Sequence, residues 1–478
     1  MVEPRLIAVE YTLKTKLFPF QRDTVERVKA FNGRCLLALE MGLGKSLVSL
    51  TYICETKSFP AVIVCPASLK FNWAAEAHKH FDKSVTILDG RDPQKQGTIM
   101  RSGDKIFVLN YDILPSWLPV LKAIKPEIIV ADESQFTKNR NTKRTKALAE
   151  LAYFAPKFLA LTGTPMTKGD PTELWTCLNM LFKGKIVSQY AFMNRYCKWH
   201  NTRYGTKVTG PKNLPELNAF LNNRCMVRYR CEDVLPDLPP FIRQTSLLEM
   251  TAKQSSEYNK AQEEFYLWLL EKYPDRQVPK SDMAVILTQF GYLKRLAAEF
   301  KIPAIIEKID NFLANNEGKL IIFGIHKKML QAVWDVYAKQ NKSEPFIVRI
   351  DGSTSAQHRS SAVYNFQETD YTRLALLQMQ SGGTGLTLTA AQHSMFMELD
   401  FLPSTHLQCE ARNRRIGSTG SFVHYDYLVI KDSIEEDVMD KLFVRQNTFS
   451  AVIDGKEDVS GQFNLMQDLL RKQFNRRG

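Results

Sequence analysis

The chain has 478 residues, 44% hydrophobic and 24% charged, with 64 Lys and Arg against 51 Asp and Glu for a formal charge of +13. That composition excludes a disordered chain and allows two or three separate cores, while no apolar run approaches the ~18 to 20 residues that a membrane span needs. The basic surplus points toward a polyanionic partner through counterion release. Eight cysteines scattered without a CxxC pair argue against structural zinc or a disulfide framework.

The opening MVEPRLIAVEY lacks the basic-then-apolar plan of a secretory signal, so a cytoplasmic location is expected. From residue 35, short apolar strands alternate with helical patterns: CLLALE then SLVSLTYICE, AVIVC then LKFNWAAEAHKHF, then VTIL, KIFVLN, EIIVA and KFLALT. This alternation predicts a doubly wound parallel sheet. Residues 166 to 310 read mainly as helix, in PTELWTCLNMLF and SSEYNKAQEEFYLWLLEKY, and the proline-rich DVLPDLPPF (233–241) reads as an extended connector. A second α/β series starts near residue 319 with KLIIFGI and continues through PFIVRI, RLALLQM, SMFMEL and VHYDYLVI. The expected division is 1–236 as a first lobe with a helical insertion, 237–450 as a second lobe with another, and 451–478 as a polar linker and short basic helix. KNRNTKR (138–144) and RKQFNRR (471–477) are locally all basic and default to solvated segments.

Three segments carry chemistry. In MGLGKS (Met41, Gly42, Leu43, Gly44, Lys45, Ser46) two glycines let backbone N–H groups wrap phosphate oxygens, Lys45 places a charge at the β and γ phosphates, and Ser46 offers a hydroxyl to Mg²⁺. A strict P-loop has a further glycine where this chain has Leu39, so the loop alone is an imperfect match. In IIVADES, Asp132 and Glu133 end a buried strand at the sheet edge where open α/β folds bind ligands. Asp132 is expected to hold Mg²⁺ and Glu133 to activate the attacking water, although a strand running into a polar loop gives the same dipeptide. In QCEARNRRIG, Arg412 and Arg415 stand at i and i+3 on one expected helix face, suited to neutralising a transferring phosphoryl group, and an isolated R-x-x-R also fits a basic surface helix.

In this order the motifs resemble the ATPases of helicase superfamily two, and within it the Swi/Snf-type DNA translocases. The DES-then-KN detail and ELDFLP (398–403) are similar to the HARP-type annealing-helicase branch. The resemblance implies two RecA-like doubly wound parallel-sheet lobes with helical insertions between them. LFPFQ (17–21) is similar to the adenine-reading Q motif, with Gln21 the reader. ALEMGLGKS, VIVCPASLKFNW, DESQ, LTGTP, KLIIFGIHKKML, QSGGTGLTLTAA and QCEARNRRIGS are similar to motifs I, Ia, II, III, IV, V and VI. By this resemblance Gly385 belongs to the ATP site, and Gln135, Thr162, Thr164 and Gln408 couple hydrolysis to movement. Ser68, Lys70, Asn110, Tyr111, Ser353, Thr354 and Thr384 are implied contacts to DNA phosphates. Departures are Gln135 and Arg414 where the family commonly has His, Ser418 where it has Gln, and Ser381 and Thr387 where Ala and Asn are frequent.

The resemblance implies ATP and Mg²⁺ as cofactors, double-stranded or branched DNA as partner, and a monomeric motor for replication, repair or recombination. A strand-separating or RNA-directed enzyme is the alternative within this chemistry, and an ATPase-dead nucleic-acid scaffold the alternative outside it. The compact length suggests a bacterial or bacteriophage source.

Overall fold

The computed structural model describes residues 13–81, 83–96, 106–167, 170–202, 205–274, 282–338, 344–382, 386–418 and 420–455. The chain divides into two compact units, one comprising 1–166, 172–192 and 216–234, the other 167–171, 193–215 and 235–478.

The first unit is built on β1 (Arg34–Leu37), β2 (Ala61–Cys65), β3 (Thr86–Ile87), β4 (Ile106–Asn110), β5 (Ile128–Asp132) and β6 (Lys157–Leu161). All pair in parallel, in the order β3-β4-β2-β5-β6-β1, with a later strand at the β1 edge. Every residue of β2 and β5 is buried. Such runs satisfy a sheet covered on both faces by the helices that parallel crossovers require. β5 lies between β2 and β6, with Asp132 opposite Leu161, so the first carboxylate emerges from the middle of the sheet.

At the opposite end, Arg34 gathers two helix termini. Its guanidinium donates to the Leu181 carbonyl at 2.7 Å, Met180 at 2.6 Å, Ala152 at 3.0 Å, and Ala155 and Pro156 at 3.2 Å each. The helices Lys143–Phe154 and Thr172–Leu181 therefore end on one cation, which satisfies carbonyls that their own turns leave open.

The stretch from 166 to 310 is mainly helical, as expected, in Thr172–Leu181, Gln189–Tyr196, Leu214–Arg224, Ala252–Lys272 and Met283–Asn315, with strands between them that the sequence pattern does not show. It holds an antiparallel hairpin of β7 (Cys197–Thr202) and β8 (Gly205–Pro211), then β9 (Met226–Val227) and β10 (Phe241–Leu248). β9 completes the first sheet beside β1, and two residues are too few to show a period. β10 pairs along its full length with a strand of the second sheet, but none of its residues is buried, so its sequence carries no core signature. An edge strand of this kind is specified by backbone pairing more than by apolar alternation.

The second unit orders its parallel sheet as β10-β15-β14-β11-β13-β12, with β11 (Lys319–Gly324), β12 (Ile347–Ile350), β13 (Leu374–Gln378), β14 (Ala391–Phe396) and β15 (Val423–Ile430). Two apolar clusters cover it, one around Phe290, Phe323, Phe396 and Tyr427, the other around Ile305, Ile322, Leu330 and Leu376. The 33-residue helix Met283–Asn315 reaches both. Its fully buried Lys301 donates to Glu435 Oε1 and to the Leu428 carbonyl, each at 2.8 Å. A buried charge needs such pairing, and removal of either partner is costly.

No described helix is long and apolar enough to cross a membrane, and all eight cysteines are free. The expected basic terminal helix lies outside the described residues, which end at Gly455.

Candidate active site

After β1 the chain turns through residues 38–44 into the helix Lys45–Glu55. Gly42 and Gly44 have φ of +86° and +79°, a region that side-chain-bearing residues enter at a cost. At Gly44 a Cβ would also lie 2.6 Å from Gln21 Nε2. Gln21 is buried, donates from Nε2 to the Leu43 carbonyl at 3.1 Å and accepts the Phe18 N–H at 3.0 Å. Its amide thus braces the loop from behind. Lys45 Nζ donates to the carbonyls of Leu39 (3.0 Å) and Glu40 (3.3 Å), folding over the loop it follows. The helix starts at Gly44 without a side-chain cap, and Ser46 is half-buried in the first turn, so this terminus keeps N–H donors for an anion. Gly163 of LTGTP packs against the same loop, where a Cβ would meet Met41 Cγ at 2.8 Å.

The end of β5 supplies the acids. Asp132 is buried and accepts from Trp73 Nε1 and the Glu133 backbone N–H, both at 2.9 Å. Tyr111, buried against β4, donates its hydroxyl to the Asp132 carbonyl at 2.6 Å. Glu133 adopts a left-handed φ of +51°, which throws consecutive carboxylates to different directions. Gln135 Nε2 then holds Glu133 Oε2 at 2.6 Å. Burial, and next the Glu133 charge, push the Asp132 carboxyl above its ordinary value, against the pull of Trp73 and Lys45. Burial lowers the Lys45 ammonium, while Glu133 and Asp132 act to raise it.

These residues fit a nucleotide with a divalent cation. Two crowded carboxylates, one of them destabilised by burial, are relieved by a bound cation, and an oxygen set of Ser46 and Asp132 is what Mg²⁺ takes alongside phosphate. Thr162 Oγ1 accepts the Thr164 N–H at 3.0 Å, whereas Thr164 Oγ1 and Gln135 Oε1 are buried without a hydrogen-bond partner. A small cavity of about 10 Å³ touches Gln135 and Thr162. Two orphaned polar atoms beside motifs II and III mark where a changed arrangement can be stabilised.

In the second unit, the helix Pro403–Glu410 stops before the expected arginines, which corrects the helix-face reading. Asn413 is drawn into the core by its bonds to the Ala391 carbonyl and Ser394 Oγ, both 3.2 Å, and Ser418 Oγ captures both the Asn413 carbonyl and the Arg415 N–H. These bonds replace the helical ladder. The arginines still converge: Arg412 Nη1 (3.2 Å) and Arg415 Nη1 (3.0 Å) both donate to the Leu386 carbonyl. Gln408, half-buried on that helix, gives its carbonyl to Arg412 Nε at 2.9 Å.

Among the expected DNA contacts, Ser68 and Ser353 are exposed, and Asn110 and Thr354 are half-buried. Asp351 shapes the second pair: it accepts from Ser353 Oγ at 2.5 Å, and its own N–H donates to Thr354 Oγ1 at 2.9 Å. Lys70 and Tyr111 are instead turned inward, Lys70 onto Asp89 and Tyr111 onto β5, because each finds an acceptor there. Thr384 and Gly385 lie outside the described residues.

Two contributors escaped the sequence reading. Trp73 orients Asp132, and Arg228 donates to the Ala38 carbonyl at 2.8 Å beneath the phosphate loop. The signal for Trp73 was present, since a buried indole N–H requires an acceptor. Arg228 offered none, being 183 residues beyond Lys45 in sequence.

The family profile described as the SNF2-related domain matches residues 23–303, more than half of the chain. The chain belongs to the SNF2-related family. The helicase conserved C-terminal domain follows over residues 301–417. Relatives include the human DNA annealing helicase and endonuclease ZRANB3, 30% identical over 93% of this chain and 41% of its own length. Another is the Xenopus tropicalis SWI/SNF-related matrix-associated actin-dependent regulator of chromatin subfamily A-like protein 1, 32% identical over 91% of this chain and 44% of its own. The chain therefore spans about two fifths of the length of these relatives. Both are eukaryotic, and neither supports the bacterial or phage source expected from length. A solved structure described as the Sulfolobus solfataricus SWI2/SNF2 ATPase core in complex with dsDNA aligns with a TM-score of 0.43 and 22% identity over 93% of this chain and 94% of that one.

Proposed function

We propose that this SNF2-family chain hydrolyses ATP with Mg²⁺ and uses the cycle to translocate along double-stranded DNA, remodelling forks or annealing strands in replication, repair or recombination. One observation carries the reading: Lys45 of the phosphate loop and the Asp132–Glu133 pair share one electrostatic site on the first sheet's carboxyl edge. Lys45, the Gly42–Gly44 backbone and the following helix terminus bind the phosphates, with Met41 and Leu43 shaping the loop. Gln21 meets the adenine side of the site while bracing the loop, and Gly385 belongs to the same nucleotide machinery. Ser46 and Asp132 hold Mg²⁺, which supplies charge neutralisation at the phosphate oxygens. Glu133, kept in place by Gln135, takes the proton of the attacking water. Arg412 and Arg415 neutralise the transferring group, and Thr162, Thr164 and Gln408 relay its loss.

The name of the human relative, a DNA annealing helicase, supports the annealing or fork-remodelling form of this reading. Ser68, Asn110, Ser353, Thr354 and Thr384 are proposed to hold backbone phosphates. The experiment compares ATP turnover without nucleic acid and with duplex, single strand, fork and RNA hairpin. Stimulation by duplex or fork is expected, equal across unrelated sequences and falling steeply with salt. Stimulation by RNA alone would replace the reading with an RNA-directed enzyme, and absence of turnover with every polymer would replace it with a scaffold.

A further inference from the structure

The helix Pro403–Glu410 delivers the chain to Arg412 and Arg415, and its two ends are fixed by different means. At the far end the Glu410 carboxylate accepts from Arg243 Nε and Nη2 at 2.6 and 2.7 Å and from the Tyr427 hydroxyl at 2.7 Å, while its carbonyl accepts the Tyr425 hydroxyl at 2.9 Å. The near end has Leu402 at the N-cap and no side-chain cap. His406, the fourth helical residue, stands in for one. The Asp400 N–H donates to His406 Nε2 at 3.0 Å, and Asp400 Oδ1 in turn accepts the Leu402 N–H at 2.8 Å. The fourth position is where an apolar contact commonly staples the chain entering a helix, and here a hydrogen bond does so. The linker before it is gripped residue by residue. Glu398 accepts the N–H groups of Ile325 and His326 at 2.7 and 2.9 Å, the Leu399 carbonyl accepts from Lys294 Nζ, and the same ammonium lies 4.2 Å over the Phe401 ring.

His406 is buried between Phe396 and Tyr427, each ring centroid 5.5 Å away, so an apolar side chain would suit the place on packing alone. What the imidazole adds is an acceptor. A backbone hydrogen has a fixed direction, and the Asp400 N–H aimed at Nε2 requires a lone pair there, which in the neutral ring puts the proton on Nδ1. The Asp400 carbonyl lies 3.2 Å from the same nitrogen and would be the acceptor in the other tautomer, which leaves the Asp400 N–H unpaired. Nδ1 is buried without a hydrogen-bond partner, a cost that a merely space-filling group would not carry. A second proton would leave the ring no acceptor and strand the Asp400 N–H. The surroundings oppose that proton: burial above all, with Lys294 adding to it, holds the imidazole below its ordinary value against the pull of Asp400 and Glu410. A cavity of about 30 Å³ that the ring lines brings in Arg243 from β10 and Tyr427 from β15, and apolar Met439 and Leu442 from the helix Ile434–Phe449.

We propose that His406, with its proton on Nδ1, is a positioning residue for the arginines of this unit: it anchors the entry of the helix through the Asp400 N–H, as Glu410 anchors its exit, and the two set where Arg412 and Arg415 stand, an inference that rests on the reading of those arginines as the groups that neutralise the transferring phosphoryl. The test is DNA-stimulated ATPase across a pH series for the wild-type chain, His406→Leu and His406→Gln, with Tm and affinity for a fluorescent ATP analogue measured on each. Leucine keeps the packing and removes the acceptor, whereas glutamine offers an amide oxygen near the place of Nε2 and does not titrate. His406→Leu is expected to lower kcat about tenfold with KM for ATP near wild type, as loss of an orienting partner does. His406→Gln should recover most of kcat at neutral pH and keep it where acidification lowers wild-type turnover, because any fall due to Asp132 and Glu133 is common to all three chains and cancels in their ratio. Nitrogen-15 NMR of the histidine-labelled chain, with the His406 signal identified by its loss in His406→Gln, should show a neutral ring protonated at Nδ1. Equal kcat and superimposable pH profiles in a folded His406→Leu, or a charged or Nε2-protonated ring at neutral pH, would overturn the role. If His406→Leu does not fold, the His406→Gln profile and the tautomer decide by themselves. Turnover unchanged in both Arg412→Ala and Arg415→Ala would instead sink the reading of the arginines, a failure distinct from that of His406, whose tautomer would stand.

Discussion

Lys45, Asp132 and Glu133 in the first unit crowd one end of a sheet with their charges incompletely compensated, and burial works against both Lys45 and Asp132. Arg412 and Arg415 in the second unit instead rest on a shared backbone carbonyl, Leu386, with their guanidiniums engaged. The first arrangement is high in electrostatic energy until a phosphate and a cation arrive. The second is already satisfied and has to exchange partners in order to act. Binding energy is therefore concentrated in the first cluster, and the second is suited to a contribution made only in the transition state.

Substitutions can break this contrast, beginning with the largest effect. Lys45→Ala removes the positive member of the crowded cluster and should lower turnover by more than about a thousandfold together with ATP affinity, read by steady-state ATPase and nucleotide titration. Arg415→Ala should lower DNA-stimulated kcat by about a thousandfold while ATP affinity stays near wild type. A large loss of affinity with turnover per bound site intact would contradict the contrast from the second unit. Glu133→Gln keeps the volume but cannot take a proton, so turnover should fall about a hundredfold and bound ATP should persist in a filter-retention assay. Near-normal hydrolysis would move the base elsewhere.

The smallest expected effect sharpens the comparison within the first cluster. Gln135→Ala frees the Glu133 carboxylate from its 2.6 Å donor and should reduce kcat about tenfold, as loss of an orienting partner typically does. Gln135→His offers a ring N–H in the same place and should recover part of the loss. If Gln135→Ala left kcat and its DNA stimulation unchanged, the hydrogen bond would have no part in positioning Glu133.

Much of this was legible in sequence because the responsible residues are neighbours along the chain. GKS follows its strand directly, and DE ends a run whose every residue is buried. The longer strands of the first unit stand out as strong apolar runs, whereas β9 and β10 leave almost no mark, the one too short and the other too exposed. The site's supports were harder to see. Trp73 meets Asp132 across 59 positions and Arg228 meets Ala38 across 190, and such pairings depend on the completed sheet. Lys70 and Tyr111 add what a motif position does not tell, since each bonds an acceptor remote in sequence, Lys70 the Asp89 carboxylate and Tyr111 the Asp132 carbonyl.

Arg34 gives the first sheet two unequal ends. Five carbonyls from the last turns of two helices and their exits are fixed on a guanidinium at the start of β1, and all five belong to the backbone. Burial lowers the Arg34 guanidinium to about 10, so this clamp holds through neutral pH and loosens only toward alkaline pH. The carboxyl edge, by contrast, carries the crowded acids. Amide isotope exchange should therefore be slowest around residues 152–158 and 178–181 and faster through residues 38–44 and 133–138. Nucleotide should slow exchange at the second set and leave the first unchanged, so that the sheet works as a stationary base with one adjustable rim.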